Sequence, residues 1–317
     1  MCLSTGHSGG VEQTIFSTDE LFARGLGPKE IRAMIGRGVL TRLRKGWYAD
    51  LGAADSDAAV ALKAGAHLGC LSGCKAHGIW VPPSSGVHAA YGRGASTKAR
   101  TGLVLHPYKA KQPRTAIWPV EDCLAQVIER HDAETILIVV ESAVSAKVIP
   151  HEMAEQMLKQ TPIGDLTRWL SRARSGSETR VRLFFQRRHV PVHPLATVLG
   201  VGEVDMVVGD RLLVECDSER HHGSPEAQLN DSLRDLNGHL LDYQRIRLTY
   251  DQIWHDWAAT QVSLSAVLRK RRHIHRLRPS RATTPEGRSR AAVLAERHTQ
   301  RRRMHSFGFD EDLRDFL

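Results

Sequence analysis

The stretch that most limits what this chain can become runs from Glu203 to His222: Glu-Val-Asp-Met-Val-Val-Gly-Asp-Arg-Leu-Leu-Val-Glu-Cys-Asp-Ser-Glu-Arg-His-His. Two apolar runs, each of strand length, flank a Gly209-Asp210 turn. Asp205 stands at the start of the first run, Glu215 and Asp217 at the end of the second, and His221 and His222 follow. Carboxylates at the ends of buried strands cost free energy unless a cation or hydrogen bonds offset the charge. A hard divalent ion, held by one or two carboxylates plus phosphate oxygens, would offset it. Alternation puts Glu215 and Asp217 on one face of a strand. Asp205 joins that face only opposite an odd-numbered residue. A two-residue loop would pair Asp205 with Val214, whereas a three-residue loop, Gly209 to Arg211, pairs it with Glu215. The expectation is therefore a three-residue loop or a bulge. The competing reading is a surface hairpin with solvated acids.

At 317 residues the chain is long enough for two domains or three. Mean hydropathy is −0.32, and no apolar run approaches the roughly 18 residues of a membrane helix. The longest, Ile136–Val140, is broken by Glu141. The N-terminus lacks the basic-then-apolar pattern of a signal peptide. An odd, sparse cysteine set (Cys2, Cys70, Cys74, Cys123 and Cys216) fits reduced thiols in a cytoplasm. The expectation is a soluble, cytoplasmic protein with no membrane contact. The net charge of +9 is concentrated: residues 269–305 carry 13 Lys/Arg, beginning with Arg269, Lys270, Arg271 and Arg272, against Glu286 and Glu296. The rest of the chain is thus slightly acidic. Such a segment suits a polyanion, because each phosphate neutralised releases counterions; a solubilising tail is the plainer alternative.

In chain order, residues 1–16 carry little pattern. Ser17-Thr-Asp-Glu20 is a capping box opening a helix to about Arg24. Pro28 suits the first turn of a second helix, Lys29 to Gly36, with Ile31, Met34 and Ile35 inward and Lys29, Arg32 and Arg37 outward. Residues 39–48 alternate apolar and basic around Lys45-Gly46, as a β-hairpin would. Helix, helix, basic hairpin is the order of a winged helix-turn-helix, in which the second helix enters the major groove and the wing touches backbone. Lys29, Arg32, Arg37, Arg42, Arg44 and Lys45 are its candidate DNA contacts. This order, with Gly38-x-Leu-x-Arg-Leu-Arg-Lys-Gly-Trp-Tyr48, resembles the N-terminal domain of AbiEi-type antitoxins from type IV toxin–antitoxin systems. The resemblance implies a repressor of its own operon, with a toxin or operon partner.

An Ala-rich helix is expected over 53–67. His67, Cys70, Cys74 and His77 invite a zinc reading. Yet their spacing is helical, and four ligands strung along one helix cannot converge on a tetrahedral ion; they read as core. Leu71-Ser-x-x-x-Ala-His-Gly-Ile79 also resembles the middle region of AbiEi-like proteins. Short strands at Val87–Tyr91 and Gly102–His106 flank a basic turn. Two or three helices follow, Val120–His131, Ala133–Val148 and Glu152–Lys159, the last leading into Leu166–Arg174. This part reads as a helical connector without chemistry.

A helix carrying Glu178 and Arg182, capped by Ser177, precedes a strand near Ala196–Leu199 and the two strands above. Ser224-Pro-Glu226 opens a helix with Leu229, Leu233, Leu236 and Leu240 on its core face. Gln244–Leu248 reads as a strand, and Thr249-Tyr-Asp-Gln252 caps a last helix carrying Ile253, Trp257 and Leu264. The order is that of an α/β/α sandwich on a mixed sheet. Acid on the first helix, then Asp, then Glu-x-Asp is the arrangement of PD-(D/E)XK nucleases. Glu178 and Arg182, Asp205, Glu215, Asp217, His221, Asp231, Arg234, Asp235, Arg247 and Thr249 resemble the pattern of Vsr-like endonuclease domains, over about residues 175–265. Two positions depart from it: Ser218 and Asp242 stand where glycines are usual.

The expected fold class is therefore α/β multi-domain. It comprises a winged helix-turn-helix (1–52), an AbiEi-like middle or helical connector (53–172), a Vsr-like restriction-endonuclease-like α/β/α sandwich (173–270) and a basic tail (271–317). The resemblance implies a DNA endonuclease using Mg²⁺ (or Mn²⁺). Asp205, Glu215, Asp217 and the Cys216 carbonyl are the candidate metal ligands, with Glu178, His221 and Arg234 as further catalytic candidates. The alternative is an antitoxin-like transcriptional regulator with a non-catalytic nuclease-fold domain.

Overall fold

The computed structural model describes residues 15–217 and 237–274. By backbone proximity the chain divides into two units, Met1–Ile274 and His275–Leu317, and all described residues belong to the first. That unit is a mixed α/β structure built around three small sheets. No helix among the described residues is long and apolar enough to cross a membrane.

The first sheet orders β1 (Ile15–Ser17), β3 (Trp47–Asp50) and β2 (Leu40–Arg44). The reciprocal Ser17–Glu20 capping box starts α1 (Thr18–Ala23), and Pro28 opens α2 (Pro28–Gly36). Phe16, Leu21, Ile31 and Leu40 are buried together, with Met34 and Ile35 packed against them, so the inward face of α2 is the one the apolar spacing picks out. Ile15 and Phe16, expected to carry little pattern, belong with Ser17 to a strand because this segment pairs with the hairpin: Phe16 lies opposite Tyr48.

The middle region combines a small sheet with helices. The expected helix over 53–67 is only α3 (Asp57–Lys63), capped by Ser56. The chain then turns into β4 (His67–Leu68) and α4 (Cys70–Ala76), so His67 does not share a helix with Cys70, Cys74 and His77. β4 runs antiparallel to β5 (Val87–Tyr91), and β5 runs parallel to β6 (Leu103–Pro107). Periodicity predicts strands but carries no sign for direction, and here the basic segment between β5 and β6 is a crossover rather than a hairpin turn. Helices α5 (Val120–Arg130), α6 (Ala133–Ser145) and α7 (His151–Lys159) follow. Leu166–Arg174, into which the third helix was expected to lead, holds one 3₁₀ turn, Thr167–Trp169.

The third sheet orders β10 (Gln244–Thr249), β9 (Leu212–Asp217), β8 (Gly202–Val208) and β7 (Val192–Val198). β7, β8 and β9 are antiparallel neighbours, and β10 runs parallel to β9. Helix α8 (Gly176–Gln186) is capped by Ser175, whose hydroxyl accepts the Glu178 N–H. Ser177, the expected cap, instead accepts the Trp254 indole N–H. Val181, Phe184 and Phe185 of α8 pack on Met206, Val208, Leu212 and Val214. The Thr249–Gln252 capping box starts α9 (Tyr250–Trp254), and a break at His255-Asp256 separates it from α10 (Trp257–Arg269), where one continuous helix was expected. On the sheet's other face, Val198, Val204, Val207 and Leu213 gather with Leu241 and Tyr243.

Candidate functional site

The connection between β8 and β9 decides the site. Val208 lies opposite Leu212, Val207 opposite Leu213 and Met206 opposite Val214. The loop is therefore three residues, Gly209 to Arg211; the pairing ends at Met206↔Val214, and one further step in that register would set Asp205 level with Glu215, as the acid pattern requires. Gly209 has φ +61, and a Cβ there would stand 2.4 Å from the His273 carbonyl oxygen. The Asp210 N–H donates to that same oxygen. Only glycine meets both demands at no steric cost.

At Asp205 the ladder gives way to a side chain. The Cys216 N–H donates to an Asp205 carboxylate oxygen at 2.7 Å. On the opposite edge, the β7–β8 pairing passes from Pro194↔Met206 to Ala196↔Val204. The intervening Leu195 has φ +48, a strained conformation for a leucine. Burial pushes the Asp205 carboxyl above its ordinary range, and the charges of Glu215 and Asp217 add to this against the Cys216 hydrogen bond. Glu178, from the first turn of α8, is 7% exposed. It accepts hydrogen bonds from the Arg174 N–H (2.8 Å) and the Ser175 hydroxyl (3.0 Å). Burial raises its carboxyl too, and the charge of Asp205 contributes. The buried Cys216 thiol is pushed well up by desolvation and then by Asp205, Glu178, Asp217 and Glu215. Four carboxylates from α8, β8 and β9 therefore all act on the Cys216 thiol.

Glu215 is held differently. Its carboxylate is in short contact with the Arg245 guanidinium and lies 3.2 Å from Arg247 Nε; both arginines come from β10. Beside them a cleft of about 350 Å³ is lined by Leu213, His239, Tyr243, Gln244, Arg245 and Arg247, among others. The alternation of Gln-Arg-Ile-Arg-Leu-Thr on β10 brings both arginines to Glu215, a role that a reading of β10 as an ordinary half-buried strand overlooks. Arg182, part of the motif by spacing, is not at this site. It is 1% exposed, and its guanidinium bonds Glu141 of α6 at 2.6 Å. The Trp169 carbonyl and Gln186 accept its other nitrogen.

The remaining candidates are dispersed. Lys29, Arg32 and Arg37 are exposed on α2, and Arg42 and Lys45 on the hairpin. Arg44 is turned inward, 2.8 Å from His67 Nε2. A register shift between Arg42 and Arg44 breaks the alternation that would have put both on one face. Arg269, Lys270, Arg271 and Arg272 are exposed where α10 ends. His221, His222, Asp231, Arg234, Asp235, the opening of the helix expected from Ser224, and the tail beyond Ile274 lie outside the described residues.

A second group appears where no chemistry was expected. Ligand atoms of Cys70, His88 and His131 all lie within 4.8 Å of one another. Among the described residues these form the one such set of three or more His, Cys, Asp or Glu ligand atoms; the carboxylate neighbourhood does not close to that distance. The sequence signal was half present, in Cys70, but its partners come from 18 and 61 positions away. No protein-family model matches the chain, and no curated protein matches it in sequence.

Proposed function

We propose that this protein is a DNA endonuclease of the PD-(D/E)XK, Vsr-like kind, working with Mg²⁺ or Mn²⁺ and brought to DNA by an N-terminal winged helix. The observation that carries the reading is the three-residue Gly209–Arg211 loop, whose register, continued one step, would bring Asp205 and Glu215 to one face, with Glu178 and Asp217 nearby. The donor set fits a hard cation. It is all oxygen, and burial and mutual repulsion raise the carboxyl of Asp205 and that of its neighbour Glu178, the electrostatic condition a divalent ion relieves. Asp205, Glu215, Asp217 and the Cys216 carbonyl would hold the ion, which when bound supplies a more acidic water and stabilises charge on phosphate.

The chain's own residues do the rest. Arg174 and Ser175 hold Glu178 by hydrogen bonds, keeping a second acid beside Asp205. Arg245 and Arg247 line the cleft next to Glu215 and would steer and hold a phosphate backbone there. Exposed Lys29, Arg32, Arg37, Arg42 and Lys45 offer the first sheet and its helices to DNA, and the basic segment from Arg269 adds sequence-independent grip. His221 and Arg234 remain the candidates for proton transfer and phosphate neutralisation.

One observation favours a second reading, a DNA-binding regulator of the antitoxin kind whose nuclease-like part does not cut. Glu215 already has two arginines on its carboxylate, so an ion there must compete with them. Incubating supercoiled plasmid with the wild type and with Asp205→Ala, in Mg²⁺ or in EDTA, separates the two. Nicking that needs both Mg²⁺ and Asp205 is expected. DNA binding with no metal-dependent cleavage of single-stranded, double-stranded or mismatched DNA would leave the regulator.

A further inference from the structure

We propose that Cys70, His88 and His131 form a binding site for a Zn²⁺-class cation, separate from the carboxylate neighbourhood and independent of the nuclease reading. The three residues come from three elements. Cys70 is the first residue of α4, His88 lies on β5, and His131 ends α5. Their ligand atoms all fall within 4.8 Å of one another. The Cys70 sulfur is 3.2 Å from His131 Nε2. In a tetrahedral zinc site, with metal–sulfur near 2.3 Å and metal–nitrogen near 2.0–2.1 Å, a sulfur and a nitrogen ligand stand roughly 3.5 Å apart, so a small opening of this contact makes room.

Each ligand is held in place by its backbone. The Cys70 N–H donates to the buried Gln126 side chain at 2.8 Å, which keeps Cys70 in its left-handed conformation, φ +49. The His88 N–H donates to the Ser72 hydroxyl, and the His131 N–H caps α5 on the Val127 carbonyl. Behind the ligands, His106 on β6 faces His88, with His88 Nδ1 and His106 Nε2 3.0 Å apart. This is the kind of ring-to-ring hydrogen bond that fixes the orientation of a ligating imidazole, and it makes His106 a positioning residue.

The chemistry selects the ion. A thiolate with two imidazoles suits zinc and its borderline relatives and disfavours Mg²⁺ or Ca²⁺. On binding, the Cys70 S–H bond breaks, the proton leaves to solvent and the sulfur electron pair forms the metal bond. The imidazoles donate lone pairs, and nothing is oxidised or reduced. The ion would tie strand β5 to the ends of α4 and α5, with its fourth position left to water.

The test uses the full chain, stripped with chelator and titrated with Zn²⁺ and, as a spectroscopic probe, Co²⁺. One ion per chain is expected, with a rise in Tm and with the visible bands of tetrahedral cobalt plus a sulfur-to-cobalt charge-transfer band. Cys70→Ser should lose the sulfur band, and His131→Asn, at a half-exposed position, should lose most of the affinity. Asp205→Ala and Cys74→Ser should keep the band, which separates this site from the carboxylates and from the other buried thiols. His106→Asn should keep it with affinity reduced about 10- to 100-fold; unchanged affinity would remove His106 from the site. Failure of wild type to bind a stoichiometric ion, or a sulfur band that survives in Cys70→Ser while that protein remains folded by circular dichroism, overturns the proposal.

Discussion

Asp205 shows how one residue can serve a site at the expense of the fold. Its carboxyl titrates above the ordinary range because it is buried, with Glu215 and Asp217 adding repulsion. A carboxyl raised in the folded state contributes stability that is fully present below its unfolded pKa and is lost as pH rises through its folded pKa. At neutral pH, without metal, Asp205 is therefore a cost. Asp205→Asn keeps an oxygen to accept the Cys216 N–H while removing the charge. It is expected to raise the Tm of the metal-free protein, by about 2–4 °C per kcal/mol recovered, with the gain shrinking as pH falls through the raised folded pKa and gone below the ordinary carboxylate range. Thermal scans across pH, with and without Mg²⁺, check this. A variant no more stable than wild type at neutral pH would mean that the acids do not repel as described. Asp242 is a quieter case. It takes the left-handed conformation that favours glycine, φ +64, which aspartate tolerates better than most residues.

At the scale of elements, the β8–β9 hairpin is the unit that makes the site. Its loop length sets which faces of two strands coincide, and a shift of one residue would move Asp205 to the opposite face. Gly209 holds that length by its positive φ and by its approach to the His273 carbonyl. Gly209→Val forces a β-branched residue into that conformation and against that oxygen. A loss of about 1–3 kcal/mol in urea unfolding is expected, with reduced nicking if the nuclease reading holds. An equally stable variant would show that the loop has another conformation of similar energy. The first-sheet hairpin makes the complementary point: its bulge between Arg42 and Arg44 leaves Arg42 outward and turns Arg44 to His67, so two basic residues in one alternating run have different surroundings.

Across the whole molecule, the buried pair Glu141–Arg182 links the middle helices to the element that carries Glu178. Both side chains are 1% exposed and 2.6 Å apart. Glu141 also accepts from Thr179 and from the Ser171 N–H. Removing one partner strands a buried charge, so Arg182→Met is expected to cost about 3–5 kcal/mol. Replacing both, Glu141→Leu with Arg182→Met, should recover much of that. Urea unfolding of the single and double variants measures the difference, and a double variant as damaged as the single would assign the loss to packing rather than charge. Trp80 stacks on Trp254 with ring centres 5.0 Å apart, a second bridge between the same regions. The boundary expected near residue 172 is thus crossed by buried contacts.

Local signals determined much of this protein. Ser17–Glu20 and Thr249–Gln252 announced helix starts because a cap is a contact between residues three apart, and Pro28 did so through its fixed φ. The acids of residues 203–217, with strict alternation, implied a three-residue loop or a bulge, since a plain two-residue turn puts Asp205 and Glu215 on opposite faces. What was not legible depends on residues far apart in the chain. Helical spacing from Cys70 to His77 hid that Cys70 meets His88 and His131, because a sulfur at a helix start is free to join whatever the sheet and the next helix bring to it. Arg182 looked like part of the acid motif until the fold gave it Glu141, and Glu215 looked free until β10 docked parallel and delivered Arg245 and Arg247. Spacing along the chain specifies which faces exist; which faces meet, and so which charges are neutralised, is decided by packing that no single segment encodes.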